Sequence, residues 1–406
     1  MRQFPVKFDL QYGQGSCYGA EEEQAVIEVL RAGAPSCGPW VARFEEAFAR
    51  YCGVEHALAV SSGTAALRLA MAALDVGPGD EVITTSLSWI STANAPALAG
   101  AKVVFADVDP QRFTLDPASV ESKITARTKA IIVVHLYGQC ADMDPLLALA
   151  RRHGVALVED CAHAPGAEYK GRKAGSMGDF GTFSFGVQKN MTTLGEGGMV
   201  VTQDAARAER IRSLRWLCTH GYDPQGRYVQ IPADAMGKQY WRLEFDEVGF
   251  NLRMSDMQAA AGLVQLRKLD SLNARRIEIA RRYTEGLSGV PGIVTPFEAP
   301  DGKHVYHVYG TLADRKEDLM WDLWEQKGIK CWSHYMPIHL TEAYRKLGHG
   351  LGECPVLEEL SGKYVSLPLH PRLTDEAVEY LIASVRELAG ARSRGFSEGE
   401  FGDARH

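Results

Sequence analysis

The sequence predicts an α/β protein, with a large domain built on a mainly parallel sheet and a smaller C-terminal α+β domain. Between about residue 55 and residue 205, short apolar runs alternate with helical patterns. This order is typical of parallel strands joined by helices that cover both faces of the sheet. Further along, Val290-Pro291-Gly292 interrupts a helical pattern and indicates a domain boundary.

Apolar runs of strand length are the candidate strands of the large domain. They are His56–Val60, Glu81–Thr85, Lys102–Val108, Ala130–Tyr137, Ala156–Glu159, Gly181–Phe185 and Met199–Thr202. Helical patterns lie among them at Ala65–Leu74 and Asp144–His153, and others precede them at Ala20–Gly33 and Val41–Tyr51. Because ligands bind at the carboxyl ends of parallel strands, a site is expected just after these runs.

The predicted large domain covers residues 1–289 and includes the N-terminal helices. Its strand-poor, aromatic-rich stretch at 219–248 is predicted to be an excursion from the sheet. Residues 290–391 form the predicted small domain. Residues 392–406, which are rich in glycine, arginine and glutamate, are predicted to be a disordered tail.

Helices are predicted on both sides of the domain boundary. Before it they lie at Ser255–Leu272 and Ala274–Leu287, and after it at Lys316–Lys327. A strand is expected at Val305–Leu312. The last helix should begin after Thr374, whose hydroxyl can cap it.

Composition limits the classes of function. The net charge of the 406-residue chain is −7, and no dense cluster of lysine and arginine suggests a nucleic-acid partner. The eight cysteines are scattered without a CxxC pair, which predicts free thiols in a reducing compartment and no metal site. Neither a signal peptide nor a membrane-spanning run is recognisable, so a cytoplasmic protein is expected.

Chemistry-bearing residues follow several of the predicted strands. Ser61–Leu67 opens a helix after the first strand, and its Gly63 and Thr64 suit an anion site. Trp89 follows the second strand, and Asp160 follows the apolar run that ends at Glu159. Lys189 lies in a short link between two later strands.

Each of these features has a structural alternative when it is taken alone. The glycine turn can be a simple helix cap, the tryptophan a core residue, the acid a loop cap and the lysine a solvated surface group. Together they supply a phosphate cradle, a ring cover, a partner for a protonated ring nitrogen and an amine. Those are the parts that pyridoxal 5′-phosphate (PLP) requires.

Motifs in the same order resemble the DegT/DnrJ/EryC1/StrS family, or sugar aminotransferases, which are fold-type I (aspartate aminotransferase-like) PLP enzymes. The resemblance covers residues 38 to about 372. The matching stretches are Gly38–Glu45, Ser61–Ala66, Gly77–Val82, Asp107–Asp109, Glu159–His163, Phe183–Lys189, Gly195–Gly198, Gly249–Met254, His334–His339 and Ser366–His370.

The resemblance implies the catalytic roles. Lys189 would hold PLP as a Schiff base and later move a proton. Asp160 would pair with the pyridine nitrogen, and Trp89 would stack on the ring.

Further cofactor contacts are implied in the same way. Gly63, Thr64 and Ser184 would bind the phosphate. His163 would lie near the hydroxyl of the cofactor. The alternative is a structural histidine whose ring is hydrogen-bonded within the core. Asn251 matches an asparagine that reaches the phosphate in a neighbouring subunit, which implies a homodimer with shared active sites.

His334, Tyr335 and His339 match a loop that lines the substrate pocket in the family. Two histidines without a third ligand do not predict a metal site. The sequence departs from the family beside the lysine, where Gly186 and Gln188 replace the usual residues. This departure leaves Lys189 and Ser184 in place.

The resemblance implies an aminotransferase that moves an amino group from an amino acid, glutamate in the family, to a keto-sugar linked to a nucleotide. A keto-cyclitol, as in aminoglycoside-type biosynthesis, is the alternative acceptor, because the family serves both. A related sugar dehydratase would carry histidine in place of Lys189. A non-catalytic PLP-binding regulator would not need the lysine, the acid and the phosphate cradle together. A nicotinamide dehydrogenase would need GxGxxG after its first strand, which Ser61–Leu67 does not supply.

Overall fold

The fold is described from a computed structural model, which covers residues 17–33, 36–218 and 245–389. Its strands are β1 (His56–Val60), β2 (Glu81–Thr85), β3 (Lys102–Ala106), β4 (Thr128–Val134), β5 (Ala156–Asp160), β6 (Glu168–Tyr169), β7 (Arg172–Lys173), β8 (Phe180–Ser184), β9 (Gly198–Thr202), β10 (Ile293–Val294), β11 (Gly302–Lys303), β12 (Tyr309–Ala313) and β13 (Tyr364–Leu367). The predicted excursion lies almost wholly outside the described residues, and the predicted tail lies wholly outside them.

The central sheet has the strand order β1-β9-β8-β5-β4-β2-β3. The strands from β8 to β3 run parallel to their neighbours, whereas β9 is antiparallel to both β1 and β8. Every residue of β2 and β9 is buried, as expected for strands covered on both faces. The mainly parallel α/β sheet predicted from the apolar runs is therefore confirmed.

Helices cover the sheet and build the second core. They are α1 (Ala20–Ala32), α2 (Pro39–Cys52), α3 (Gly63–Ala73), α4 (Ser91–Leu98), α5 (Pro117–Lys123), α6 (Met143–His153), α7 (Ala205–Leu214), α8 (Asp256–Leu287), α9 (Lys316–Lys327), α10 (Glu342–Arg345), α11 (Pro355–Ser361) and α12 (Asp375–Ala389). Thr374 accepts a hydrogen bond from the Ala377 amide at 3.2 Å, so the predicted cap of the last helix is confirmed. None of the described helices is long and apolar enough to cross a membrane.

Helix α8 corrects the prediction of two separate helices. The helix passes unbroken through Asn273, which is fully buried. The Asn273 side chain donates to the Pro165 carbonyl at 2.9 Å and accepts from Asn190 at 2.8 Å. Because these distant partners satisfy the amide, it does not compete for the backbone of its own helix.

The strand predicted at Val305–Leu312 begins later than expected. The amides of Val305 and His307 donate to the carbonyls of Gly138 and Tyr137, outside any sheet. Only from Tyr309 onward does the chain pair with β10 and β13. Residues 304–308 therefore join the small sheet to the loop after β4, which lies at the carboxyl edge of the central sheet.

The second hydrophobic core lies under this small sheet. It draws on β12, β13, α9 and α12, and it also includes Ile279 and Tyr283 of α8. Leu266 and Leu269, from the first half of the same helix, belong to the core of the central sheet. One helix thus contributes to both cores, while the domain boundary near residue 290 stays a prediction.

Candidate active site

A cavity of about 700 Å³ opens at the carboxyl edge of the central sheet. Residues that follow β1, β2, β5 and β8 form one side of it, and the segment after α9 adds Trp332–Tyr335. The structure brings together these residues of the predicted site: Gly63, Thr64, Trp89, Asp160, His163, Ser184, Lys189, His334 and Tyr335. Asn251 and His339 are not among the residues that line the cavity.

The turn between β1 and α3 forms the anion-binding end of the cavity. Ser62 caps α3 by accepting the Ala65 amide hydrogen at 3.1 Å. A Cβ atom at Gly63 would lie only 2.6 Å from Ser184 Cβ, so glycine is needed for this close approach. The first amides of a helix have no partner inside the helix, and here they lie beside the hydroxyl groups of Thr64 and Ser184.

Asp160 is the last residue of β5, at the carboxyl edge where the sequence predicted it, and is buried with 5% of its surface exposed. Its Oδ2 accepts the Thr92 hydroxyl hydrogen at 2.8 Å, and its Oδ1 accepts the Ala162 amide hydrogen at 3.1 Å. Burial raises the pKa of the Asp160 carboxyl, and these hydrogen bonds oppose that effect.

Lys189 lies in the link between β8 and β9 and its side chain reaches the cavity. Burial lowers the pKa of its amine to about 8, although the negative charges of Asp160 and Glu196 raise it. A larger share of this amine is therefore neutral and nucleophilic near neutral pH than for a surface lysine.

The family model of the DegT/DnrJ/EryC1/StrS aminotransferases matches residues 16–386. The chain belongs to this family. It is 41% identical over 359 residues to GDP-perosamine synthase of Caulobacter vibrioides, covering 87% of this chain and 91% of that protein. It is 40% identical over 371 residues to the dTDP-3-amino-3,4,6-trideoxy-alpha-D-glucose transaminase of Streptomyces venezuelae, covering 91% of this chain and 92% of that protein.

Solved structures agree with the family assignment. The PLP form of Spr1654 from Streptococcus pneumoniae superposes with a TM-score of 0.85 at 27% identity, over 94% of this chain and 99% of that chain. The protein is therefore a PLP-dependent aminotransferase with the predicted fold-type I architecture.

The side chains that line the cavity fit PLP. The α3 turn offers backbone amides and hydroxyls to a phosphate, and Lys189 offers an amine to an aldehyde. Asp160 offers a buried carboxylate to a protonated ring nitrogen. Trp89 is 59% exposed at the cavity wall, so its indole face is accessible to a planar ring.

Tyr335 lies against His163 at one wall of the aminotransferase cavity. The Tyr137 amide approaches His163 Nδ1 at 3.4 Å, and Nε2 lies 3.1 Å from the Tyr335 hydroxyl. Burial lowers the pKa of His163 well below its usual value. The neutral ring therefore carries its hydrogen on Nε2 and donates it to Tyr335, which fixes that tyrosine at the cavity wall.

His334 is held from behind by the small sheet. Its Nδ1 lies 2.8 Å from the Ser366 hydroxyl of β13, and burial lowers the pKa of its imidazole to about 4. His334 is therefore a neutral polar group at neutral pH, able to exchange hydrogen bonds with a substrate without adding charge.

His339 and Asn251 lie elsewhere in the chain. His339 is fully buried and lies outside the cavity. Its Nδ1 is 2.6 Å from the Ser86 hydroxyl after β2, and its Nε2 is 2.9 Å from the Glu358 carboxylate of α11, so it links these two elements. Asn251 is exposed and pairs with Trp216 in an isolated bridge. Its predicted contact with a neighbouring subunit stays a prediction.

Sequence reasoning missed the hydroxyl groups of the turn after β2. Ser88, Ser91 and Thr92 all line the cavity, and Thr92 bonds to Asp160. The available signal was the hydroxyl-rich sequence Ser86–Thr92 around Trp89, directly after a predicted strand.

A buried group of potential metal ligands lies near the site, made of His135, Glu159 and Cys161. His135 Nε2 lies 2.8 Å from the Glu159 carboxylate, which also accepts the amide hydrogens of Gly175, Met177 and Gly178. The ligand atoms of His135 and Glu159 are thus already engaged, and this group serves as internal support for the wall behind Asp160.

Proposed function

We propose that this aminotransferase moves an amino group from glutamate to a keto-sugar that is linked to a nucleotide. The cavity that unites Lys189, Asp160, Trp89 and the α3 turn is the observation that carries the proposal. The two named relatives are, by their names, a GDP-sugar synthase and a dTDP-sugar transaminase. A keto-cyclitol is the alternative acceptor.

Lys189 has two tasks in this proposal. Its amine would hold the cofactor between reaction cycles, and during the reaction it would move the proton at the α-carbon of the donor. A lowered amine pKa suits both tasks, because the neutral amine is the form that attacks a carbonyl and accepts a proton.

The other side chains bind and orient the group. PLP, when bound, supplies an electron sink that stabilises negative charge at the α-carbon. Asp160 maintains that property by pairing with the protonated ring nitrogen. Gly63, Thr64 and Ser184 hold the phosphate, and Trp89 covers the ring.

The proposal also includes a homodimer with shared active sites. Among the described residues that line the cavity, Lys189 is the only lysine or arginine. Because a nucleotide diphosphate carries several negative charges, further polar or charged groups from a second chain would help to bind it. Asn251 is exposed and lies outside the cavity of its own chain, which suits a role in the cavity of a second copy.

Hybrid dimers test this arrangement. Lys189→Ala and Asn251→Ala chains, each impaired alone, should form a mixed dimer on co-expression with one intact site, and should recover about half of the wild-type activity per mixed dimer. Recovery requires that Lys189 and Asn251 of different chains serve one site. Mixed dimers as inactive as the parents would contradict shared sites.

The identity of the substrate is tested by comparing the two classes of acceptor. Purified holoenzyme is incubated with glutamate and with keto-sugar nucleotides or keto-cyclitols, and the products are measured by mass spectrometry. We expect kcat/KM for a nucleotide-linked keto-sugar to exceed that for a keto-cyclitol by at least about a hundredfold, since a nucleotide adds remote binding energy. The reverse preference would establish the cyclitol alternative.

A further inference from the structure

We infer that Thr92 is a positioning residue for Asp160, whose hydroxyl fixes one carboxylate oxygen and favours the ionised form of the acid. The inference rests on the proposed role of Asp160 toward the ring nitrogen of the cofactor. It assigns a function to the hydroxyl-rich turn between β2 and α4.

The geometry at Asp160 leaves little freedom to the carboxylate. Thr92 Oγ1 lies 2.8 Å from Oδ2, and the Ala162 amide lies 3.1 Å from Oδ1, so each oxygen has one donor. Thr92 itself is 1% exposed. Because bulk water has little access to this hydroxyl, a variant without it would leave Oδ2 short of a donor.

The direction of the hydrogen bonds follows from the charge of the acid. An ionised carboxylate can only accept, so the Thr92 hydrogen must point toward Asp160. Ser88 Oγ lies 2.8 Å from Thr92 Oγ1 and therefore donates to it. The result is a chain of donors from Ser88 through Thr92 to Asp160, in which each bond polarises and strengthens the next.

The same turn also contacts the other parts of the site. The Thr92 amide donates to the Trp89 carbonyl at 3.1 Å, and the Thr64 hydroxyl donates to Ser91 at 2.8 Å. The start of α4 thus links the ring cover, the anion turn and the acid. Thr92 is the member of this turn that bonds directly to the acid.

Electrostatics give the hydroxyl a chemical consequence. Burial raises the pKa of Asp160, and the hydrogen bonds from Thr92 and from the Ala162 amide lower it. Loss of the Thr92 donor makes the carboxylate a stronger base. A proton shared between Asp160 and the ring nitrogen then moves toward Asp160, and the ring becomes a poorer electron sink.

The test compares Thr92→Val, which keeps the shape and removes the hydroxyl, with Thr92→Ser, which retains the hydroxyl. Holoenzyme is reconstituted with PLP labelled with ¹⁵N in the ring, and the nitrogen shift is read by NMR together with kcat and KM. We expect Thr92→Val to move the signal toward the unprotonated position and to lower kcat about tenfold, with the donor KM within about twofold. Thr92→Ser should restore both readouts.

Control variants separate this inference from a general loss of packing and from the role of Asp160. Thr311→Val removes a similarly buried hydroxyl that bonds to Val294 in the small sheet, and it should leave the nitrogen signal unchanged. Ser88→Ala should shift the signal in the same direction as Thr92→Val but less, which keeps the test available if Thr92→Val does not fold.

Asp160→Asn makes the outcome unambiguous. If Asp160→Asn shifts the nitrogen signal while Thr92→Val and Ser88→Ala do not, the inference about Thr92 is overturned and the proposed role of Asp160 stands. If Asp160→Asn leaves the signal at its wild-type position, the proposed role of Asp160 fails, and the inference fails with it.

Discussion

Replacing Lys189 with alanine is expected to lower turnover by at least about a thousandfold. The variant loses the amine that would hold the cofactor through its aldehyde. It also loses the base that moves the proton at the donor α-carbon. Steady-state amino transfer from glutamate, measured with saturating PLP, gives the loss directly.

A surface lysine provides the matched control for this substitution. The Lys102 side chain is 68% exposed on β3, so Lys102→Ala should keep wild-type turnover. The wild-type apoprotein should also capture PLP faster as the pH rises through about 8, because the Lys189 amine is protonated below that pH and neutral above it. Turnover by Lys189→Ala within about tenfold of the wild-type rate would contradict the role of the lysine.

Replacing Asp160 with asparagine should lower kcat by about a hundredfold or more. The amide has the shape of the carboxylate, but it carries no charge and cannot hold a proton on the ring nitrogen. The donor KM should change much less than kcat, because the interaction matters most when charge develops at the α-carbon. Stopped-flow measurement of the first half-reaction with glutamate isolates this step.

An exposed acid serves as the control for Asp160. Asp144 forms surface ion pairs with Lys170 and Arg172, and its side chain is 49% exposed, so Asp144→Asn should have no measurable effect on kcat. A kcat for Asp160→Asn as high as that of Asp144→Asn would show that the ring nitrogen does not depend on this acid.

The strands of the central sheet were predictable because they are buried on both faces, and such strands have mostly apolar sequences. β1 and β2 have the predicted bounds, β9 begins one residue before its predicted start, and β5 ends at Asp160, which was expected directly after the strand. Lys189 and the Gly63 turn were likewise located by position, because residues at the carboxyl ends of parallel strands converge on one edge.

Side-chain partners across long sequence separations were not predictable in this way. Thr92 and Asp160 are 68 positions apart, and no local pattern distinguishes a threonine that bonds to an acid from one that caps a helix. His339 was predicted to face substrate, but a loop sequence does not fix the direction of a side chain, and its ring points toward Ser86 and Glu358.

Long-range packing also explains the misplaced element boundaries. The two helices predicted on either side of Asn273 form one helix, because the bonds of Asn273 to Asn190 and Pro165 let α8 continue. The strand predicted from Val305 starts at Tyr309, because the preceding residues bond to the loop after β4 instead. In both cases tertiary contacts override the local preference of the sequence.

Chemical trapping tests most directly whether Lys189 carries the cofactor. Holoenzyme is reduced with borohydride, which fixes the bond between the amine and PLP, and is then digested and mapped by mass spectrometry. We predict that the pyridoxyl group lies on Lys189 in the peptide between Phe185 and Met191. Finding the pyridoxyl group on another lysine, or on no lysine, would show that Lys189 does not carry the cofactor.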